Sequence, residues 1–250
     1  MSAPIDPPPT LRRPARHAVV IGHRGASADV PENTLPAFAA AWESGAPWVE
    51  ADTQPTSDGV PVILHDDDLD RTTSGSGPVR RHSFAEVSGL DIVGGSGSGV
   101  PSLAALLSLM PTGRGVLLEI KGDHSRADVA EILRQCELSG HDDRVFLQSF
   151  EHPVLDHLQA LAPDRPRGLL VECLDDDPLA RCRELGVAAY NPAYRDVLRR
   201  PEVVNELRTA GISVAVWTCD DPAGWADLTD AGVDAIITNT PAELLAWQAS

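Results

Sequence analysis

Between residue 17 and the C-terminus, a short apolar run rich in β-branched residues is followed eight times by a stretch with helical spacing. Few folds accept that cadence. Strand-then-helix repeats build parallel sheets, and eight of them in about 235 residues favour an α/β chain closed into a (β/α)8 TIM barrel over an open doubly wound sheet. The strand runs fall at 17–22, 48–53, 115–121, 144–150, 167–172, 188–191, 213–218 and 235–238, and the helical runs at 34–44, 102–110, 126–138, 153–161, 178–185, 201–210, 222–230 and 241–248. Asn33 is placed to cap the first helix. No G-x-G-x-x-G follows the first strand, which argues against dinucleotide binding.

Two segments interrupt the repeat. Residues 60–65 (VPVILH) follow a Ser57-Asp58-Gly59 turn and extend the second strand region. Residues 66–99, rich in Gly, Ser and Asp, form a short insertion or loop. Residues 1–16 (MSAPIDPPPTLRRPAR) read as a disordered Pro-rich tail without the apolar stretch of a signal peptide, which leaves 17–250 as one domain.

Composition narrows the partners. The formal charge of −17 speaks against nucleic acid, whose phosphates need clustered cations. It speaks equally against docking on anionic lipid. A small phosphate-bearing substrate is compatible if a metal cation offsets the acidic field. Cys136, Cys173, Cys182 and Cys219 form no C-x-x-C pair and read as reduced thiols. With no apolar run long enough to span a bilayer, the expectation is a cytoplasmic protein.

A barrel places its chemistry at the C-terminal ends of its strands. Here those ends are His23-Arg24, Glu50 to Asp52, His65-Asp66, Glu119 to Lys121, Gln148-Ser149, Glu172, Asn191, Trp217-Thr218 and Asn239, nearly all polar. Glu50 and Asp52 alternate on a strand, so both point to one face. Glu119 and Lys121 do the same on another strand. Three converging carboxylates without His or Cys suit one hard divalent cation, Ca²⁺ or Mg²⁺. His23 and His65 are the candidate general acid and base. Arg24 can clamp a phosphate, and Gly25 permits a sharp turn beside it. Lys121 can reach a phosphate oxygen, or serve only as a structural partner of Glu119. It is the one lysine against 19 arginines. Glu172 is a weaker substrate-contact candidate. In the acidic runs, Asp66 can orient His65, and residues 175–177 suit a helix N-terminus.

These residues carry a family resemblance. His23-Arg24-Gly25-Ala26, Pro31-Glu32-Asn33-Thr34 and Ala37-Phe38 resemble the opening signature of the glycerophosphodiester phosphodiesterases. Glu50-Ala51-Asp52, Thr56-Ser57-Asp58-Gly59, His65-Asp66 and Leu69-Asp70-Arg71-Thr72-Thr73 are similar to its second block, and Leu118-Glu119-Ile120-Lys121 to its third. Ser149-Phe150, Val216-Trp217-Thr218 and Ile237-Thr238-Asn239-Thr240-Pro241 resemble its later strand ends.

The resemblance implies a metal-dependent TIM-barrel hydrolase that cleaves glycerophosphodiesters to sn-glycerol 3-phosphate and an alcohol. It implies His23 and His65 as the acid–base pair, and Glu50, Asp52 and Glu119 as metal ligands. Arg24 and Lys121 would contact phosphate, and Trp217 would line the pocket. An acidic residue often stands at the position of Asn239, so leaving-group preference is open there, with a charge removed near the pocket floor. Two other readings compete. A lysophospholipase D-like activity would need an apolar groove, for which Leu90, Ile92, Val93 and Val100 are the candidates. A non-catalytic phosphate-ester binding barrel would tolerate loss of a histidine or a carboxylate, and none is lost here.

Overall fold

The computed structural model describes residues 17–95 and 99–250. The Pro-rich tail and residues 96–98 of the insertion lie outside the described residues. Eight parallel strands close a barrel: β1 (Val19–Gly22), β2 (Trp48–Pro55), β4 (Gly115–Ile120), β5 (Val145–Ser149), β6 (Arg167–Val171), β7 (Ala189–Pro192), β8 (Ser213–Val216) and β9 (Ala235–Thr238). Each pairs with the next in chain order, and β1 closes the ring by pairing with both β2 and β9. The predicted extension at 60–65 is β3 (Pro61–Ile63), which pairs antiparallel with the far end of β2.

The strands read as apolar runs because both faces are covered. Val19, Ile21, Trp48, Leu117, Phe146, Ala189, Ala215, Ala235 and Ile237 fill the barrel interior. The outward-facing alternates, such as Val20, Val116, Leu118, Leu147 and Val214, pack under the ring of helices. Each helix is set by local chemistry. α1 (Leu35–Glu43) is capped by Thr34, whose hydroxyl accepts from the Ala37 N–H. The expectation of Asn33 as that cap is therefore corrected. Asn33 sits one residue too early, in a left-handed conformation (φ 56°), and its side chain is committed to Asp52.

α3 (Leu103–Leu109), α4 (Arg126–Leu138), α5 (His152–Leu161), α6 (Pro178–Leu185), α9 (Pro222–Ala231) and α10 (Pro241–Gln248) fall where the spacing predicts them. Asp177 caps α6 by accepting from Ala180 N–H, as its acidic run suggests. The stretch after β7 holds two helices, α7 (Tyr194–Arg199) and α8 (Glu202–Thr209), where the sequence suggests one. Pro201 divides them, because its ring cannot sit in a helix interior.

The insertion is more than a loop. A 3-10 turn at Val79–Arg81 and the short helix α2 (Phe84–Val87) surround a core of Val62, Leu64, Leu69, Val79, Val87, Ile92 and Val100, with Phe84 and Leu90 against it. Leu90, Ile92 and Val100 are spent on that core and do not form an apolar groove. Val93 alone of the four stands in solvent, 61% exposed. Among the described residues, no helix is long and apolar enough to cross a membrane.

Candidate active site

The barrel mouth gathers His23, Arg24, Glu50, His65, Glu119, Lys121, Gln148, Phe150, Leu170, Trp217 and Ile237 around one cavity. The charged wall comes from β1 to β4 and the loops after them, and the apolar wall from β5, β6, β8 and β9.

Glu50, Asp52 and Glu119 offer carboxylate oxygens that all lie within 4.8 Å of one another, and all three residues are buried. The i, i+2 alternation on β2 puts the first two on one face, and β2–β4 pairing sets Asp52 beside Glu119. Burial pushes the Glu50 carboxyl well above its ordinary range, and the charges of Asp52 and Glu119 push it further. Burial and the Asp52 charge likewise raise Glu119, against the pull of Lys121. Crowding of this kind raises the proton affinity of Glu50 and Glu119 unless a cation lies among the carboxylates. Their all-oxygen donor set fits a hard divalent cation.

Positive groups brace the cluster. The Arg24 N–H donates to Glu50 Oε2 at 3.0 Å, and Arg24 Nε lies 3.2 Å from Asp52 Oδ2. Arg24 has φ 55°, and the following Gly25 has φ 90°. A Cβ on Gly25 would stand 2.5 Å from the backbone of Ala37, so only glycine lets the β1–α1 turn press against α1. Asn33 Nδ2 donates to Asp52 Oδ2 at 2.8 Å, and Asn33 Oδ1 accepts from the Asp52 N–H. Arg24 also donates to Glu32 at 2.8 Å. Against the upward push of burial, Arg71 and Arg24 hold the Glu32 carboxyl well below its ordinary range.

The two histidines have different partners. His23 Nδ1 lies 2.7 Å from Asn239 Oδ1. The amide cannot be reversed: Asn239 Nδ2 must donate to the Asp220 carboxylate at 2.6 Å, which turns its oxygen toward His23. His23 therefore carries its proton on Nδ1 and leaves Nε2 free, 4.0 Å from Glu50 Oε2. Burial lowers the His23 pKa, and the Arg24 charge adds to that. His65 Nδ1 instead donates to the Asp66 carboxylate at 2.6 Å. Arg71 grips both Asp66 oxygens and both Glu32 oxygens. The insertion thus fixes His65 through Arg71 and Asp66.

Lys121 Nζ donates to Glu119 Oε1 at 2.9 Å, lies 3.9 Å from Asp52 Oδ1 and sits 5.8 Å above the Phe150 ring. A planar guanidinium in that space would meet the carboxylates or the ring. Lys121→Arg is expected to fold with an unchanged thermal midpoint and to lose about tenfold or more in turnover, the scale of a charged hydrogen bond. Near-native turnover would reduce Lys121 to a structural partner of Glu119.

Most residues singled out in the sequence meet here. Trp217 lines the cavity, edge-on to Phe150 at 5.6 Å. Glu172 does not: it is exposed and absent from the cavity lining. β6 ends at Val171 and the chain bends at Glu172, so the alternation that points Leu170 into the cavity does not carry to it. Asn239 is an anchor for His23 and not a missing charge in the pocket floor. Phe150, Leu170, Ile237 and Asp220 had no role assigned from sequence; the first three occupy inward positions at the ends of barrel strands, which is the signal that finds them.

The matches to known proteins agree with this geometry. Residues 23–243 match the model of the glycerophosphoryl diester phosphodiesterase family. A glycerophosphodiester phosphodiesterase of Caldanaerobacter subterraneus is 33% identical over 235 residues, 91% of this chain and 96% of the relative. The structure of an Oleispira antarctica phosphodiesterase in complex with the product sn-glycerol-3-phosphate superposes with a TM-score of 0.86 at 28% identity, covering 92% of this chain and 96% of the other. A glycerophosphodiester phosphodiesterase from Agrobacterium tumefaciens gives 0.79 at 28% identity over 91% and 99%.

Proposed function

The chain belongs to the glycerophosphoryl diester phosphodiesterase family, and from that premise we propose that it hydrolyses glycerophosphodiesters to sn-glycerol 3-phosphate and an alcohol with the help of one divalent cation, Ca²⁺ or Mg²⁺. The observation that carries this reading is the convergence of three buried carboxylates between two differently partnered histidines. Glu50, Asp52 and Glu119 would hold the cation. When bound, it supplies positive charge that neutralises the phosphodiester and the charge developing on it.

The protein's own groups do the rest. Arg24 and Lys121 bind phosphate oxygens and orient the diester. His23, with Nδ1–H held by a neutral amide and Nε2 free, accepts the proton of the attacking oxygen, either water itself or the glyceryl 2-hydroxyl with water then opening the cyclic phosphate. His65, whose Nδ1–H is held by the Asp66 carboxylate, keeps Nε2 for the departing alkoxide and gives it a proton. The Phe150–Trp217 wall packs against the organic part of the substrate.

The test is release of sn-glycerol 3-phosphate from a panel of glycerophosphodiesters, with chelator and with Ca²⁺ or Mg²⁺ added. Release in the presence of cation supports the reading. If no diester in the panel is hydrolysed with either cation, the reading is overturned.

A further inference from the structure

Gln148 is the one side-chain amide in the cavity lining, and no step above uses it. It is 1% exposed. Its position on β5 is in register with Glu119 on one side and Gly168 on the other. It stands where the charged wall gives way to the apolar one.

Its orientation is fixed from outside the cavity. The backbone N–H of Ala215 can only donate, and it meets Asn191 Oδ1 at 3.3 Å. The Asn191 amide nitrogen must then point the other way, and it donates to Gln148 Oε1 at 2.7 Å. The Gln148 oxygen is therefore spent on Asn191 and its Nε2 is turned to the cavity, with no acceptor among the described residues. A buried amide with unspent donors calls for a reason.

The span from Asn191 to Gln148 crosses β6 over Gly168. A Cβ there would lie 3.0 Å from Asn191 Nδ2 and 3.4 Å from Gln148 Cβ, so the missing side chain is what lets the two amides meet. The same Asn191 accepts the Trp217 indole N–H on its carbonyl at 2.8 Å. One buried asparagine thus sets both the aromatic wall and the donor beside it.

On the proposed reading a phosphate is served from the charged wall by Arg24, Lys121 and the cation that the carboxylates would hold. The donor beside the apolar wall faces the organic part of the substrate. We infer that Gln148 is a specificity-determining residue that donates a hydrogen bond from Nε2 to a hydroxyl oxygen of the glyceryl group, with Asn191 and Gly168 holding it in position. The inference rests on the proposed hydrolysis of glycerophosphodiesters.

The experiment is calorimetric titration of the Mg²⁺-loaded protein with sn-glycerol 3-phosphate and, separately, with inorganic phosphate, which lacks the glyceryl hydroxyls. Gln148→Met should weaken sn-glycerol 3-phosphate about tenfold, the scale of one lost hydrogen bond, and change phosphate by less than about twofold. Gly168→Ala removes no hydrogen-bonding group, should likewise weaken sn-glycerol 3-phosphate while leaving phosphate within about twofold, and carries the test should Gln148→Met unfold. Equal weakening of both ligands, or wild-type affinity for both, would overturn the inference. The diester panel keeps the two readings apart. If the wild type hydrolyses glycerophosphodiesters while the variants bind product normally, only the role of Gln148 fails. If the wild type hydrolyses none, the underlying reading fails and this one with it.

Discussion

Stripping divalent cations from the protein is expected to abolish glycerophosphodiester hydrolysis, and Ca²⁺ or Mg²⁺ to restore it. The cause is electrostatic. Glu50, Asp52 and Glu119 are buried within 4.8 Å of one another, and Lys121 and Arg24 are shared among them. Without a further cation the cluster relieves its repulsion by holding protons. That has a measurable consequence for stability. Burial and the Asp52 charge raise Glu119 from 4.5 to about 7 in the folded protein. The folded state then binds more protons at Glu119 than the unfolded one across that window, so this group's contribution to stability is full below about pH 4.5 and is lost as pH rises through about 7. The cation-free protein should show a falling thermal midpoint over that range. Saturating cation should reverse the trend, because metal binds the deprotonated cluster. Asp52→Asn should fold, lose the cation-dependent rise in midpoint and lose turnover. Full activity in excess chelator would remove the metal from the account.

The barrel was legible because most strands are apolar runs and every described helix but α7 begins at a Pro, Ser, Asp or Thr signal. The split at Pro201 was harder to see, since α7 buries only Val197 and carries little periodicity. The carboxylate cluster was legible because alternation along one strand is enough to place Glu50 with Asp52. Long-range partners were not. His23 meets Asn239 across 216 residues of sequence, and Gln148 meets Asn191 across 43. No local pattern encodes a contact made only when the ring closes. Asn33 shows the same limit at short range: its residue type suits a helix cap, but the left-handed turn after Arg24 commits it to Asp52. The insertion's hydrophobics were misplaced because exposure and burial look alike in a Gly- and Ser-rich segment until its own small core is seen.

His23→Ala and His65→Ala should each lower turnover by roughly 10²–10⁴-fold, the range for loss of a general base or acid. The two losses should fall short of additive, since both groups act on one displacement. Their different surroundings allow the roles to be separated. His23 faces a neutral amide and has its pKa lowered from 6.5 by burial and by Arg24, which keeps it unprotonated and able to take a proton at neutral pH. His65 is paired with Asp66, a carboxylate that Arg71 holds ionised, hydrogen-bonding it more strongly than burial opposes. That partner holds the ring by Nδ1 and leaves Nε2 for the departing group. A leaving group that departs as a stable anion needs no acid. On a glyceryl 4-nitrophenyl phosphate diester, His65→Ala should therefore recover most of its lost rate, while His23→Ala should stay as impaired as on a diester with an alkyl alcohol. The opposite pattern would exchange the two assignments. Equal impairment of both variants on both substrates would mean that neither histidine protonates the leaving group, and that Asp66 and Arg71 serve only to shape the mouth of the barrel.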